Sequence, residues 1–408
     1  MKFLAAIIII AVIALVGSRV TFLNRRLPLG LRNILFTGTE YIFIGMLLGE
    51  FGFRILDTET LVELDSILLF GLAWIGFLYG LQFEFRLLKN LPKYYFSITA
   101  IQSTITFIVV GFSIYPILSA LLDLPQEIIF LSSITLGATA SCTAQSAIAI
   151  VNQNYRIQNR GLLDLMRYIS SVDGIFALLF FSLVLVFFPN TVTTESAGIL
   201  KSLQWLLITI VIGAFPGVVL IIFGRSRFSS QEFTMFLVGT ILFCGGMSHQ
   251  LSFSPLISGM ICGVVVANFC RHRVRAIQIV VQAEKSIYII LLLIIGALWR
   301  FKLDISLLIG AAYFLARILG KVAGVYTATH IYKPFYKVPW KLGLGLISEG
   351  GLVIAIILNF RFLYPPVADS LITIVVFSVF ASELISPRLI LAQFKKSDVS
   401  LKKQISVT

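Results

Sequence analysis

Charge is scarce in this chain of 408 residues: Asp, Glu, Lys and Arg together make up 12% of it. Histidine occurs three times, as His249, His272 and His330, too scattered to form the HExxH helix of a metalloprotease. The four cysteines, Cys142, Cys244, Cys262 and Cys270, make no CxxC pair and show no metal-ligand spacing, so they read as reduced small hydrophobes. No Gly-x-Ser-x-Gly elbow occurs. An aspartyl intramembrane protease needs two facing aspartates, and only Asp173 stands in the middle of an apolar run. These gaps argue against an enzyme. No resident metal and no cofactor is expected. What the chain has instead is apolar mass: 58% hydrophobic residues, with 35 phenylalanines. That composition excludes an ordinary soluble domain and a disordered chain, and fits a polytopic membrane protein embedded in a lipid bilayer.

Apolar runs of membrane length recur without a soluble-domain interruption. They predict about thirteen transmembrane helices, near 3–22, 33–50, 62–83, 95–121, 127–152, 163–188, 197–223, 232–248, 252–270, 283–299, 305–330, 341–360 and 367–393. Alternating the loops tests this count. With the N-terminus outside, only Lys2, Arg54, Lys201, Arg300, Lys302 and Arg361 fall on the outer face, and Arg317 and Lys321 lie within a span. Every other Lys and Arg of the 32 falls on the cytoplasmic face, Arg32 and Lys285 among them, so the net charge of +13 needs no nucleic-acid partner. The first run, MKFLAAIIIIAVIALVGS, also has the layout of a signal peptide, and its removal would leave the orientation of the rest unchanged.

A carboxylate at the centre of a spanning helix costs about 2.5–3.5 kcal/mol even on the lenient insertion scale. Asp173 and Glu349 stand well inside spans, with Glu40 and Glu383 nearer the ends. Arg317 and Lys321, four residues apart, share one helix face. These groups are either structural ion pairs, with Glu349 neutralising Arg317 or Lys321, or an ion pathway. Intramembrane ionisable residues favour the pathway. Two stretches read as interrupted helices. GATASCTAQSAIAI (137–150) is crowded with small and hydroxyl residues, and LISEGGLVIAI (346–356) sets a charge before paired glycines. They predict breaks around Ala144 and Gln145 and around Gly350 and Gly351. The breaks fall on the fifth and twelfth spans. If spans one to six (1–188) and eight to thirteen (232–393) are repeats joined by a linker helix (197–223), each break is the fifth helix of its repeat. An odd linker makes the repeats inverted. The fold class is therefore all-α membrane protein, with a transmembrane domain over 1–393 and a short basic cytoplasmic tail over 394–408.

At this point the chain resembles the monovalent cation/proton antiporter superfamily, the sodium/hydrogen exchanger-like transmembrane domain, nearest the potassium-efflux branch. TGTEYIFIGMLLGEFG (37–52) resembles the family's second helix, with Glu50 where a proline is usual. ILLFGLAWIGFLYGLQFEFRLLK (67–89) resembles the next. ASCTAQSAIAI is similar to the family's Ser-Ser-Thr-Ala stretch, and SVDGIFALL to the sixth helix, where Asp173 takes the position of the ion-binding aspartate. LARILGKVAG (315–324) matches the Arg/Gly-Lys helix with Lys321 in the lysine position, and ASELISPRLI (381–390) the terminal helix. Cys142 replaces a serine of the Ser-Ser-Thr-Ala stretch; departures from the family's sodium branches are Val172 before Asp173 and Ala144 after Thr143, and Ser348-Glu349 stands where an Arg-Gly is common.

The resemblance implies exchange of Na+ or K+ for protons by alternating access. Asp173 would bind cation or proton competitively, helped by oxygens of Thr143, Ser141, Ser170 and Ser171. Lys321 and Arg317 would be counter-ions of the vacant site. It also implies a core of spans 3–6 and 10–13 moving against a dimerising scaffold of spans 1–2 and 8–9, hence a homodimer. The bacterial inner membrane is the implied location, and regulation would need a separate cytoplasmic subunit. The alternative is a channel-like or sensor subunit with a degenerate site.

Overall fold

The computed structural model describes residues 2–19, 28–85, 93–187, 199–224, 229–251, 253–301, 304–332, 338–394 and 399–401. The helices are α1 (Lys2–Arg19), α2 (Leu29–Thr37), α3 (Glu40–Leu48), α4 (Thr58–Glu63), α5 (Asp65–Leu81), α6 (Lys93–Leu121), α7 (Gln126–Ser141) and α8 (Gln145–Asn154). They continue with α9 (Arg160–Phe187), α10 (Ile199–Phe223), α11 (Ser230–Gln250), α12 (Pro255–Phe269), α13 (Arg273–Leu298) and α14 (Ile305–Ile331). A 3-10 helix (Trp340–Leu346), α15 (Gly351–Leu363) and α16 (Ala368–Leu391) complete the set. A two-stranded antiparallel ladder pairs β1 (Tyr155–Ile157) with β2 (Val399–Leu401). Most of the basic tail, including Lys395, Lys396, Lys402 and Lys403, and the loop cations Arg25, Arg26, Arg86 and Lys89 lie outside the described residues.

Each predicted apolar run falls on a helix or a helix pair. By length and apolarity alone, seven described helices are able to cross a membrane, or eight if the bent pair 340–346 and 351–363 counts as one span. The shorter apolar helices α5, α12 and the 207–223 stretch of α10 add to these. Local chemistry sets several ends. Ser229 and Glu232 form a capping box on α11, Ser254 caps α12 ahead of Pro255, and Asp304 accepts from the Ser306 amide at α14. Asp57 caps α4 in the same way. The hydroxyl and then the amide of Thr60 donate to it and pull its carboxyl down to about 2.

Two boundaries differ from expectation. The second span is two helices, because Gly38 turns left-handed at φ 83° and closes α2 with a bond from its amide to Ile34 O. The tenth run begins at Arg273, ten residues early, so Lys285 sits within α13 rather than in a loop.

Glycines decide which helices meet. A Cβ at Gly76 or Gly80 of α5 would overlap the carbonyls of Leu256 and Met260, and one at Gly259 or Gly263 of α12 would overlap those of Ala73 and Phe77. The backbones of α5 and α12 therefore touch, as small residues permit in a membrane where apolar burial gives helices no reason to associate. Gly45 of α3 and Gly49 just past its end meet Leu293 and Ala297 of α13 in the same manner, and Gly296 meets Ile42. In two inverted repeats the third span corresponds to the tenth and the second to the ninth, so these two contacts are counterparts.

This packing corrects the division of the bundle. The third and tenth spans, α5 and α13, pack with α1, α3, α11 and α12 on the scaffold side. The core is α6, α7, α9, α14 and α16 around the two breaks. Gly80→Leu should force α5 from α12 and lower stability by about 1–3 kcal/mol. Thermal unfolding in detergent checks this, and an unchanged midpoint would contradict the contact.

Candidate functional site: two crossed breaks held by buried cations

The hydroxyl-rich α7 stops at Ser141, three residues run extended, and α8 starts at Gln145. The 3-10 helix stops at Leu346, four residues follow without helix, and α15 starts at Gly351, bent by 65° from its predecessor. Both breaks fall where the sequence placed them, and they cross. The amide of Ala144 donates to Ser348 O at 2.9 Å, pairing the two extended peptides. The crossing brings two carbonyl ends, at Ser141 and Leu346, toward two amide ends, at Gln145 and Gly351. Neither α8 nor α15 carries an acid in its first turn.

The carbonyl ends carry partial negative charge, and α14 supplies two cations to them. Arg317 and Lys321 are fully buried. Arg317 donates from Nη2 to Cys142 O at 2.6 Å and Ser348 O at 3.2 Å, and from Nη1 to Ile347 O. Its Nε stands 3.0 Å from Glu349 Oε1. One guanidinium thus bridges both breaks, which its planar fork of donors suits. Lys321, one turn on, donates to Ser141 O at 2.7 Å, to Thr143 Oγ1 at 2.8 Å and to Asp173 Oδ2 at 3.3 Å.

Asp173, on α9, has no exposed surface. Besides Lys321 it accepts from the Thr143 amide at 3.1 Å. Thr143 Oγ1 donates onward to Leu346 O at 3.1 Å, so this residue touches both breaks, the lysine and the carboxylate.

The structure therefore brings Asp173, Thr143, Ser141 and Lys321 together. Ser141 takes part through its carbonyl, because its hydroxyl donates to Ala138 O at 2.7 Å. Ser170 likewise donates to Arg167 O at 3.0 Å on its own helix, while lining the neighbouring cavity. Ser171 is half-buried and does not line that cavity. Arg317 and Glu349 form a second group, in which Ser378 donates to Glu349 Oε1 at 2.9 Å and the Glu349 amide donates to Ser382 Oγ at 3.2 Å.

The cavity, of about 390 Å³, lies between scaffold and core. Tyr79, Gln82, Glu284, Lys285 and Tyr288 line one wall, and Thr143, Ala144, Gln145, Ser170, Gly350 and Gly351 the other. A Cβ on Gly351 would strike the ring of Tyr288, which gives the second glycine of the pair its reason.

Sequence reasoning missed Asn33 and underrated Glu383, which it placed near a span end. Both are fully buried, and Glu383 accepts from Ser348 Oγ at 3.0 Å. Ser378, Ser382 and Ser386, spaced i, i+4, i+8 beside Glu383, were the legible signal of a polar face on α16.

Sodium/hydrogen exchangers, in their transmembrane region, match residues 8–391 of this chain. No curated protein matches the sequence. Among solved structures, the sodium proton antiporter MjNhaP1 from Methanocaldococcus jannaschii, at pH 8, superposes with a TM-score of 0.66 at 17% identity, over 96% of this chain and 99% of that one. At that identity the superposition speaks for the fold.

Proposed function

Because the chain belongs to the sodium/hydrogen exchanger family, whose members are membrane-embedded cation/proton antiporters and not enzymes, we propose that it exchanges Na+ or K+ for protons by alternating access, with Asp173 holding cation and proton in turn. One observation carries this reading: a fully buried carboxylate meets a buried ammonium where two broken helices cross. The oxygens around Lys321 Nζ are Asp173 Oδ2, Thr143 Oγ1 and Ser141 O. They are what a dehydrated monovalent cation would meet once the ammonium withdrew. Ionised Asp173 takes the cation and protonated Asp173 crosses without it, so that at this carboxylate one cation is set against one proton. Arg317 holds the two breaks together through their carbonyls.

Gln145 and Ser146 open α8, whose far end leads to β1 and Arg156, and Gln82 closes α5 ahead of a basic loop. The cavity thus lies toward the basic face, which we assign to the cytoplasm, with the N-terminus outside in a bacterial inner membrane. The core would then move against a homodimeric scaffold, under control of a separate cytoplasmic subunit where regulation exists. The test is exchange in reconstituted vesicles across Li+, Na+, K+ and pH. Cation-driven counterflow of protons is expected. Conductance without counterflow would make the protein a channel, and neither flux would make it a sensor.

A further inference from the structure

Glu383 lies on the core helix α16, and Asn33 lies on α2, a separate helix preceding the scaffold helix α3. They meet where Gly30 of α2 packs on the Leu384 carbonyl too closely for a side chain. Asn33 Nδ2 donates to Glu383 Oε2 and, at 3.1 Å, to Glu383 O, while Ser348 Oγ donates to Glu383 Oε1 at 3.0 Å. Each carboxyl oxygen therefore has a donor, as an ionised group requires. Yet no cation pairs with Glu383 among the described residues. Around it, the Arg317 guanidinium is engaged with Glu349 and the carbonyls of the breaks, and Arg32 of α2 is turned to Asn154 at 2.6 Å. Glu349, adjacent in the break, adds a like charge.

The other end of the Asn33 amide supplies the complementary half. Asn33 Oδ1 is buried without a hydrogen-bond partner among the described residues, as is Ser386 Oγ one turn beyond Glu383. An amide offers a donor at one end and an acceptor at the other, so Asn33 serves either form of the carboxyl group: Nδ2 toward the carboxylate, Oδ1 toward the acid after a turn of the amide. From Glu383 the bonds run through Ser348 to Ala144 and so to the peptide that binds Asp173.

We propose that Glu383 is a second proton-binding carboxylate of the transport cycle, taking up a proton where the core meets α2 and releasing it as that contact changes. This rests on the antiport reading for its role, but its protonation is measurable without transport. Infrared difference spectra of the reconstituted protein between pH 5 and 9 should show the carbonyl band of a protonated carboxyl group that grows on acidification and is missing in Glu383→Gln. In Asn33→Leu its midpoint should move by about one pH unit. In vesicles, Glu383→Gln should slow exchange and lose about one proton of steepness from the pH profile. The absence of any Glu383-dependent band, or an unmoved midpoint in Asn33→Leu, overturns the proposal. Exchange that survives Asp173→Asn overturns only the reading of the main site.

Discussion

Asp173→Asn is expected to bring cation-driven proton flux down to the level of empty vesicles. The amide keeps the size of the side chain and still accepts from the Thr143 amide. It offers neither the charge that holds a cation nor a group that exchanges a proton. It also leaves the buried ammonium of Lys321 with only Ser141 O and Thr143 Oγ1. Removing one partner of a buried ion pair costs about 3–5 kcal/mol, so loss of flux alone does not separate chemistry from folding. The double variant Asp173→Asn, Lys321→Gln removes both charges. It should recover most of the thermal stability lost by the single variant and none of the exchange. Flux through either variant would place the ion elsewhere.

Arg317→Leu should have the largest effect on stability. One side chain satisfies carbonyls of Cys142, Ile347 and Ser348 and pairs with Glu349, all in surroundings without exposed surface. Its removal strands a buried carboxylate and takes the guanidinium from the carbonyls of Cys142, Ile347 and Ser348, for about 3–5 kcal/mol or more. Adding Glu349→Gln relieves the stranded charge but not the carbonyls. The double variant should therefore sit between the single variant and the unchanged protein in detergent unfolding. Equal stability of single and double variants would mean that the Glu349 charge left behind by Arg317→Leu costs nothing.

Much of this was legible. Hydrophobic runs and basic loops gave the helical membrane fold, because insertion selects directly on those patterns. The breaks were legible as well, since Gly350 and Gly351 weaken a helix and the hydroxyls of 137–150 serve freed backbone groups. Asp173 and Lys321 stood out by their cost. Three things did not. The left-handed turn at Gly38 depends on one dihedral. The placement of α5 and α13 with the scaffold depends on glycines whose partners lie far along the chain, as Leu256 does from Gly76 and Leu293 from Gly45. The Asn33–Glu383 contact joins residues 350 apart, and only the α16 serine spacing hinted that Glu383 faces inward.

Arg317 and Lys321 reach carbonyl oxygens at positions 141, 142, 347 and 348, not the side chains there. Evolution is thus free to exchange Ser141, Cys142 and Ile347 for residues of similar bulk without touching that scaffold of charge. It is far less free to insert or delete a residue between Ser141 and Gln145 or between Leu346 and Gly351. Length, rather than identity, is the constrained quantity in these two segments.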